Sequence, residues 1–251
     1  MFGSAPFRGN PLAVVVDAEG LTDADMARIA NWTNLSETTF LLPPTAPGAD
    51  YRVRIFTPAQ ELPFAGHPTL GTCHAWLTAA GGAPREGRVV QECGVGPVTV
   101  RVDDDGTLWF AAPPLLREGP VEAGELAGVA AELGLGAQDI LTSSWVDNGP
   151  GWIGVEVRDR AALHAIAPGR LEHKIGVVAL DGATEGHRYE VRAFFPIDGM
   201  ATEDPVTGSL NASVAQWLIG AGRVRPPYTV AQGAVLGRDG CVRIDADHIY
   251  P

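Results

Sequence analysis

Positive charge is scarce in this sequence. Against 30 Asp and Glu stand 18 Lys and Arg, a formal net charge of −12. A surface of that sign repels phosphate backbones and anionic bilayers, so neither nucleic acid nor a membrane is expected as a partner. Cysteine is scarcer still: Cys73, Cys93 and Cys241 form an odd, widely spaced set without a CxxC pair. That excludes a disulfide framework and a zinc knuckle, and fits a reduced, cytoplasmic chain. No apolar run approaches the roughly 20 residues that cross a bilayer, and the opening MFGSAPFRGN lacks the basic and apolar regions of a secretory signal. No metal set is visible. His67 and His74 have no acid to complete one, and His164, His173, His187 and His248 are scattered and expected at the surface. GLGAQD and GAVLGRDG neither follow a strand nor open a helix, so they are not dinucleotide loops. VDDDG is a turn with too few ligands for calcium.

What is present is ordinary globular material, 45% hydrophobic and 19% charged over 251 residues, enough for one large domain or two small ones. Within it one octet occurs twice. YRVRIFTP spans residues 51–58 and YEVRAFFP residues 189–196, identical at five of eight positions. Each copy leads through a Gly-, Thr- and Pro-rich turn to an apolar segment containing Trp. The surrounding elements recur as well. Thr22, followed by Asp23 and Asp25, opens a helix, and SETTFLLPP reads as a strand ended by prolines. A helix over 69–79 follows the turn FAGHPTLG, and then RVVQECG, GPVTVRVDDDG and TLWFAAPP form three short strands. Beyond the prolines at 113 and 114 and a looser stretch at 117–123 come a helix over 125–135 and two strands in SSWVDNGPGWIGVEVRD. A short helix in RAALHAIAP and the strand KIGVVALD precede the second octet. A helix over 208–222, a strand in PYTVAQG and another in CVRIDADHIY complete the chain. The boundary divides it into an N-terminal lobe, 1–113, and a C-terminal lobe, 114–251, with room for the last strand to return to the N-terminal lobe. Two homologous lobes facing each other would place two helix N-termini at one cleft.

The turns GHPTLG (66–71) and EDPVTGS (203–209) carry the chemistry. Glycine lets backbone approach a ligand, and the free N–H groups of a first helical turn accept an anion. Two such sites would trap a carboxylate and stabilise negative charge developing on the adjoining carbon. Proton abstraction alpha or vinylogous to a carboxylate is the chemistry this favours.

PFRGNPLAVV, NLSETTF, RIFTPAQELPFAGHPTLGT and EDPVTGSLNA together resemble the phenazine-biosynthesis isomerase (PhzF-like) family, along nearly the whole chain. The resemblance implies an α+β fold of the diaminopimelate epimerase type, two pseudo-symmetric lobes, each a β-sheet or barrel around a central helix. It also implies a homodimeric isomerase without metal or other cofactor, acting on a small-molecule carboxylate. The best known family activity isomerises trans-2,3-dihydro-3-hydroxyanthranilate by moving a proton along a conjugated acid. Glu37 of SETTF matches the proton-transferring acid/base, a role that a partly apolar cleft supports by raising a carboxyl pKa toward neutrality. His67 matches the histidine that binds or polarises the substrate. Asp204 and Ser209 match the second polar pair, although Asp204 before Pro205 also fits a plain N-cap. Gly66 and Gly208 are expected to supply backbone donors.

The chain departs from related patterns in two places. Epimerase and proline-racemase relatives use two cysteines as opposing acid and base. Ala65 and Thr207 stand where those cysteines belong, Cys73 reads as core, and Cys93 falls after the first central helix. A two-cysteine racemase is thereby disfavoured. A racemase or epimerase of another kind, and a catalytically idle carboxylate-binding homologue, stay as alternatives. Family members also carry a strand with an aspartate ahead of the segment matching FGSAPFRGN. Either the start codon is assigned late, or the sequence lacks that edge strand, in which case stability or dimerisation is expected to suffer while the motifs remain intact.

Overall fold

The computed structural model describes residues 2, 3 and 5–245, so the end of the expected last strand, with His248, lies outside the described residues. Two compact units divide the chain: Pro11–Ala111, and Phe2–Asn10 together with Ala112 onward.

The first unit runs β1 (Ala13–Val15), α1 (Asp23–Thr33), β2 (Thr38–Leu42), β3 (Tyr51–Phe56), β4 (Glu61–Leu62), α2 (Gly66–Thr78), β5 (Arg88–Cys93), β6 (Gly96–Val102) and β7 (Leu108–Phe110). Helix α1 starts where its sequence dictates. The Thr22 side chain accepts from the Asp25 N–H while the Asp25 carboxylate accepts from the Thr22 N–H, a reciprocal cap. The strands form one sheet in the order β1-β2-β3-β5-β6-β7, with β4 paired to β3. Helix α2 packs against β1, β2, β5 and β7. Strands at both ends of the path touch the same helix, so the sheet curls around it. Eight successive α2 residues, Gly66 to Cys73, are buried, as expected of a helix enclosed on every side. It begins a turn earlier than the sequence reading placed it, which puts His67 inside the helix.

The second unit contains β8 (Arg117–Gly119), α3 (Ala123–Leu133), β9 (Ile140–Asp147), β10 (Trp152–Val157), α4 (Arg160–Ala165), β11 (Lys174–Ala179), β12 (Tyr189–Ile197), β13 (Met200–Asp204), α5 (Gly208–Gly220), β14 (Tyr228–Gln232) and β15 (Gly240–Ile244). Its sheet has the order β15-β14-β12-β11-β10-β9-β8, with β13 paired to β12. Helix α5 packs on β9 and β15, toward opposite ends of that path. Gly154 and Gly176 sit side by side in the β10–β11 register. A Cβ on the first would press on Trp217 and one on the second would collide with Leu210, so this glycine pair is the trough in which α5 lies. Strand β15 pairs with β14 and does not return to the first unit. The N-terminal segment joins the second unit instead, where Gly3 bridges Gly240 and the Cys241 N–H donates to the Phe2 carbonyl. The stretch 117–123, read as loose, contains β8. His164 and His173 are not simply exposed; they pair with Glu190 at 2.5 Å and Glu132 at 2.7 Å, and His187 is half-buried.

The octets mark a structural repeat. The order β1-α1-β2-β3-β4-α2-β5-β6 recurs as β10-α4-β11-β12-β13-α5-β14-β15. Each octet strand, β3 or β12, pairs antiparallel with β2 or β11 and parallel with β5 or β14. Each is followed by a short antiparallel partner, β4 or β13, that delivers the chain to the central helix. The shared Arg and Phe have one explanation. Arg54 grips both carboxylate oxygens of Glu61 on β4, at 2.8 and 2.7 Å, and Arg192 grips both of Glu203 on β13, at 2.9 and 2.7 Å. Each guanidinium also lies over its own octet phenylalanine, Phe56 or Phe194. A bidentate fork of this kind fixes the hairpin from which the central helix departs.

The two forks differ in burial. The Arg192 side chain is 4% exposed and also donates to the Leu163 and Ile166 carbonyls, whereas that of Arg54 is 23% exposed. Arg192→Leu, which strands a buried carboxylate, is expected to lower the unfolding free energy by about 3–5 kcal/mol. Arg54→Leu is expected to cost about 1 kcal/mol or less. Urea unfolding of the two variants measures both; equal losses would contradict this account of the repeat.

Candidate active site

In the first unit, Glu37 stands immediately before β2 and His67 is the second residue of α2. Their side chains meet, with His67 Nε2 3.2 Å from Glu37 Oε2 and exposures of only 5% and 16%. Buried hydroxyls and an amide fix the registers that bring them together. Thr72 of α2 donates to Thr39 of β2 at 2.8 Å, and Gln91 of β5 donates to Thr69 at 3.0 Å while accepting from the Tyr51 hydroxyl. Burial pushes the His67 imidazolium pKa down to about 3, against a smaller opposing effect of its hydrogen bond to the Pro11 carbonyl. The ring is therefore neutral at ordinary pH. With Nε2 turned to Glu37, Nδ1 is left to donate to Pro11.

In the second unit, Asp204 ends β13 and its two oxygens are held separately. Oδ1 accepts from Asn10 Nδ2 at 2.9 Å and Oδ2 from Thr207 Oγ1 at 2.6 Å. Burial raises its pKa to about 6 despite both hydrogen bonds. It is not an N-cap, since Thr207 occupies the cap position of α5. Gln232 of β14 anchors the start of this helix. Its Oε1 accepts from the Thr207 N–H at 3.0 Å and from Asn211 Nδ2 at 2.7 Å, and its Nε2 donates to Thr207 Oγ1 at 3.0 Å. Gly208 is the first residue of α5 and Ser209 the second. The Ser209 hydroxyl accepts from Trp152 Nε1 at 3.1 Å, and its carbonyl accepts from Asn148 Nδ2 at 2.9 Å.

The helix starts themselves contrast. Thr22 and Asp159 cap α1 and α4 with side-chain oxygens. Ala65 and Thr207, at α2 and α5, supply no such bond, and neither does Glu122 at α3. First-turn N–H groups at α2 and α5 are thus left without a side-chain acceptor, next to glycines that add no bulk. Among the described residues no group of three or more His, Cys, Asp or Glu could hold a metal ion, and no helix is long and apolar enough to cross a membrane. Cys73, on α2, is fully buried and burial pushes its thiol up to about 12, which suits packing rather than proton transfer. Two open hollows on the first unit, lined by Glu86–Arg88 with Arg101–Asp105 and by Arg52–Arg54 with Glu61–Pro63 and Glu92–Gly94, contain none of the candidate residues.

The sequence singles out Glu37, His67, Asp204 and Ser209 as candidates but not their neighbours Asn10, Gln91, Asn148, Trp152 or Gln232. A signal did exist for two of these. RVVQEC and TVAQG each set a glutamine inside an apolar strand just after a central helix, and a buried glutamine there needs a partner.

Asp204 gives the fold a pH dependence of definite sign. A carboxyl whose pKa is 3.8 unfolded and about 6 folded binds more protons in the native state between those values. Stability therefore falls as pH rises through that window. Melting temperatures measured across it should show the fall, and Asp204→Asn should flatten it; a slope unchanged in the variant would contradict the assignment.

Comparison with known proteins agrees with this architecture. Residues 1–250 match the family model for phenazine biosynthesis-like proteins, PhzC-PhzF. Trans-2,3-dihydro-3-hydroxyanthranilate isomerase of Pseudomonas fluorescens is 36% identical over 247 residues, covering 94% of this chain and 84% of the relative. Antisense-enhancing sequence 1 of Schizosaccharomyces pombe is 33% identical over 264 residues, covering 98% and 88%. The crystal structure of a PhzF-family phenazine biosynthesis protein from Bacillus anthracis superposes with a TM-score of 0.79 at 25% identity, covering 96% of this chain and 86% of that one. With its repeated sheet-and-helix plan and its match along the whole length, the chain belongs to the phenazine biosynthesis-like PhzC-PhzF family and is an isomerase of that family.

Proposed function

We propose that this isomerase moves a proton between two carbons of a small unsaturated or amino carboxylic acid, with Glu37 as the acid/base and no cofactor. The contact that carries the proposal is the buried pair of Glu37 with a neutral His67. With its proton on Nδ1, the neutral ring offers Nε2 as an acceptor, so it pairs with Oε2 when Glu37 carries the transferred proton. Glu37 takes a proton from one carbon, and the C–H electron pair spreads through the conjugated system toward the carboxylate. Glu37 then returns the same proton to a second carbon on the same face. Nothing is consumed and no second base is needed. We assign Gly66, His67, Asp204, Gly208 and Ser209 to binding substrate, with first-turn N–H groups stabilising the carboxylate as charge builds on it.

The isomerase of Pseudomonas fluorescens, 36% identical, is named for trans-2,3-dihydro-3-hydroxyanthranilate, an acid of this conjugated, amino-bearing kind. A racemase would require an opposing base. Ala65 cannot ionise, the Thr207 hydroxyl is engaged with Asp204, and both Asp204 oxygens already accept hydrogen bonds. The family resemblance further supports a cytoplasmic homodimer.

Glu37→Gln is expected to lower turnover by about 10²–10⁴-fold while ligand affinity, read by calorimetric titration, changes only a few-fold. Unchanged turnover would overturn the proposal. The pH–rate profile should fall on the acid side as Glu37 takes up a proton. A histidine already neutral above pH about 3 should contribute no basic limb, and His67→Ala should raise the apparent substrate constant. A basic limb that disappears in His67→Ala would show the ring acting as a cation and contradict the assignment.

A further inference from the structure

Two loops of the second unit meet beside the turn that leads into α5. Residues 5–10 end on Asn10, whose Nδ2 donates to Asp204 and to the Val206 carbonyl, both at 2.9 Å. Residues 233–239 join β14 to β15 and lie flush on the same turn. A Cβ on Gly233 would collide with the Pro205 carbonyl, and one on Gly240 with Val206. The loops are also tied to each other. The Asp239 N–H donates to the Arg8 carbonyl at 2.8 Å. Arg8 Nη1 donates to the Gly237 carbonyl and Arg238 Nη1 to the Phe7 carbonyl, each at 3.2 Å. Phe7 is 95% exposed yet holds a left-handed backbone, with φ of 66°, a conformation costly for a bulky side chain. The exposed ring gains nothing from it; the carbonyl that it orients receives Arg238.

Arg192 shows what such an anchored arginine is built to do. Its Nη1 donates to two carbonyls, and its Nε and Nη2 together grip the Glu203 carboxylate. Arg8 and Arg238 are likewise anchored on carbonyls through Nη1. Among the described residues, however, neither uses its Nε–Nη2 edge or has an ion-pair partner. That edge is the one that matches the two oxygens of a carboxylate or phosphate. In a chain of net charge −12, two anchored guanidiniums at one junction without a carboxylate of their own stand out. We propose that Arg8 and Arg238 form a binding site for an oxyanion, a carboxylate or phosphate group that takes the place Glu203 holds at Arg192. The site is separate from the substrate carboxylate assigned to the α5 first turn and does not rest on that assignment. Its oxyanion is either a free ion or a second acidic group of the molecule held at α5, and the two sources give different results below.

Proton–nitrogen NMR of the arginine Nε–H groups in the intact chain reads the site directly, with the two resonances assigned by their loss in Arg8→Gln and Arg238→Gln. Inorganic phosphate, titrated at constant ionic strength so that screening does not change, should shift both resonances with one shared midpoint. In Arg8→Gln the midpoint read at Arg238 should rise about tenfold or more, the equivalent of about 1.4 kcal/mol. Arg8→Lys keeps the charge but not the fork, and should raise it too. Phthalate and benzoate, which differ by one carboxylate, identify the source. Tighter binding of phthalate, lost in Arg8→Gln, would mark a second acidic group on the molecule held at α5. Equal behaviour of phthalate and benzoate, with phosphate binding retained, would mark a free ion. No shift with either phosphate or phthalate, unequal midpoints at the two arginines, or a midpoint unchanged in Arg8→Gln would each overturn the inference. None of those three results bears on the reading of the α5 first turn.

Discussion

The contact between Glu37 and His67 governs what the first unit can do. Removing water from both groups makes a separated charge pair expensive, and burial resolves the conflict by holding the imidazole neutral. A neutral ring with Nδ1 on the Pro11 carbonyl presents Nε2 as an acceptor, which pairs with the Glu37 carboxyl in its protonated form. The surrounding bonds serve that arrangement. Thr39 with Thr72, and Gln91 with Thr69, lock α2 against its sheet at successive turns, so His67 has little freedom to leave Glu37. Gly66, just ahead, keeps the helix start slim.

The second unit builds the same frame to a different end. An arginine–glutamate fork again pins the hairpin that launches the central helix, and a strand glutamine again clamps the helix start, this time through Asn211 and Thr207. The residue after the leading glycine is serine instead of histidine. Its hydroxyl and carbonyl are claimed by Trp152 and Asn148, and the nearby carboxyl, Asp204, is held at both oxygens. In the proposed function, one unit supplies the group that moves a proton and the other the groups that hold and orient.

The repeat was legible because its signature is local. An octet whose arginine must reach a glutamate on the next short strand keeps the arginine, the phenylalanine and the strand alternation together in sequence. Glu37 and His67 were legible through their motifs. The start of α2 was misplaced because Gly-His-Pro reads as a turn, although proline is harmless in a first turn whose N–H has no helical partner. Strand β8 was missed because it is three residues long, Arg-Glu-Gly, and sits at a sheet edge where charge is favoured over alternation. Nothing local could show that residues 2–10 join the far end of the chain, or that His164 and His173 would find carboxylates. Those facts live in contacts between segments far apart in sequence. The same holds for Asn10, whose partner is 194 residues away.

The protonation state of His67 tests the central claim most directly. Nitrogen-15 NMR of the histidine rings, with His67 assigned by comparison with His67→Ala, reads both its charge and its tautomer across pH. The account requires a ring that stays neutral from about pH 5 to 9 and carries its proton on Nδ1, consistent with a folded pKa near 3. A ring that titrates near the ordinary histidine value of about 6.5, or one protonated on Nε2 when neutral, would contradict it.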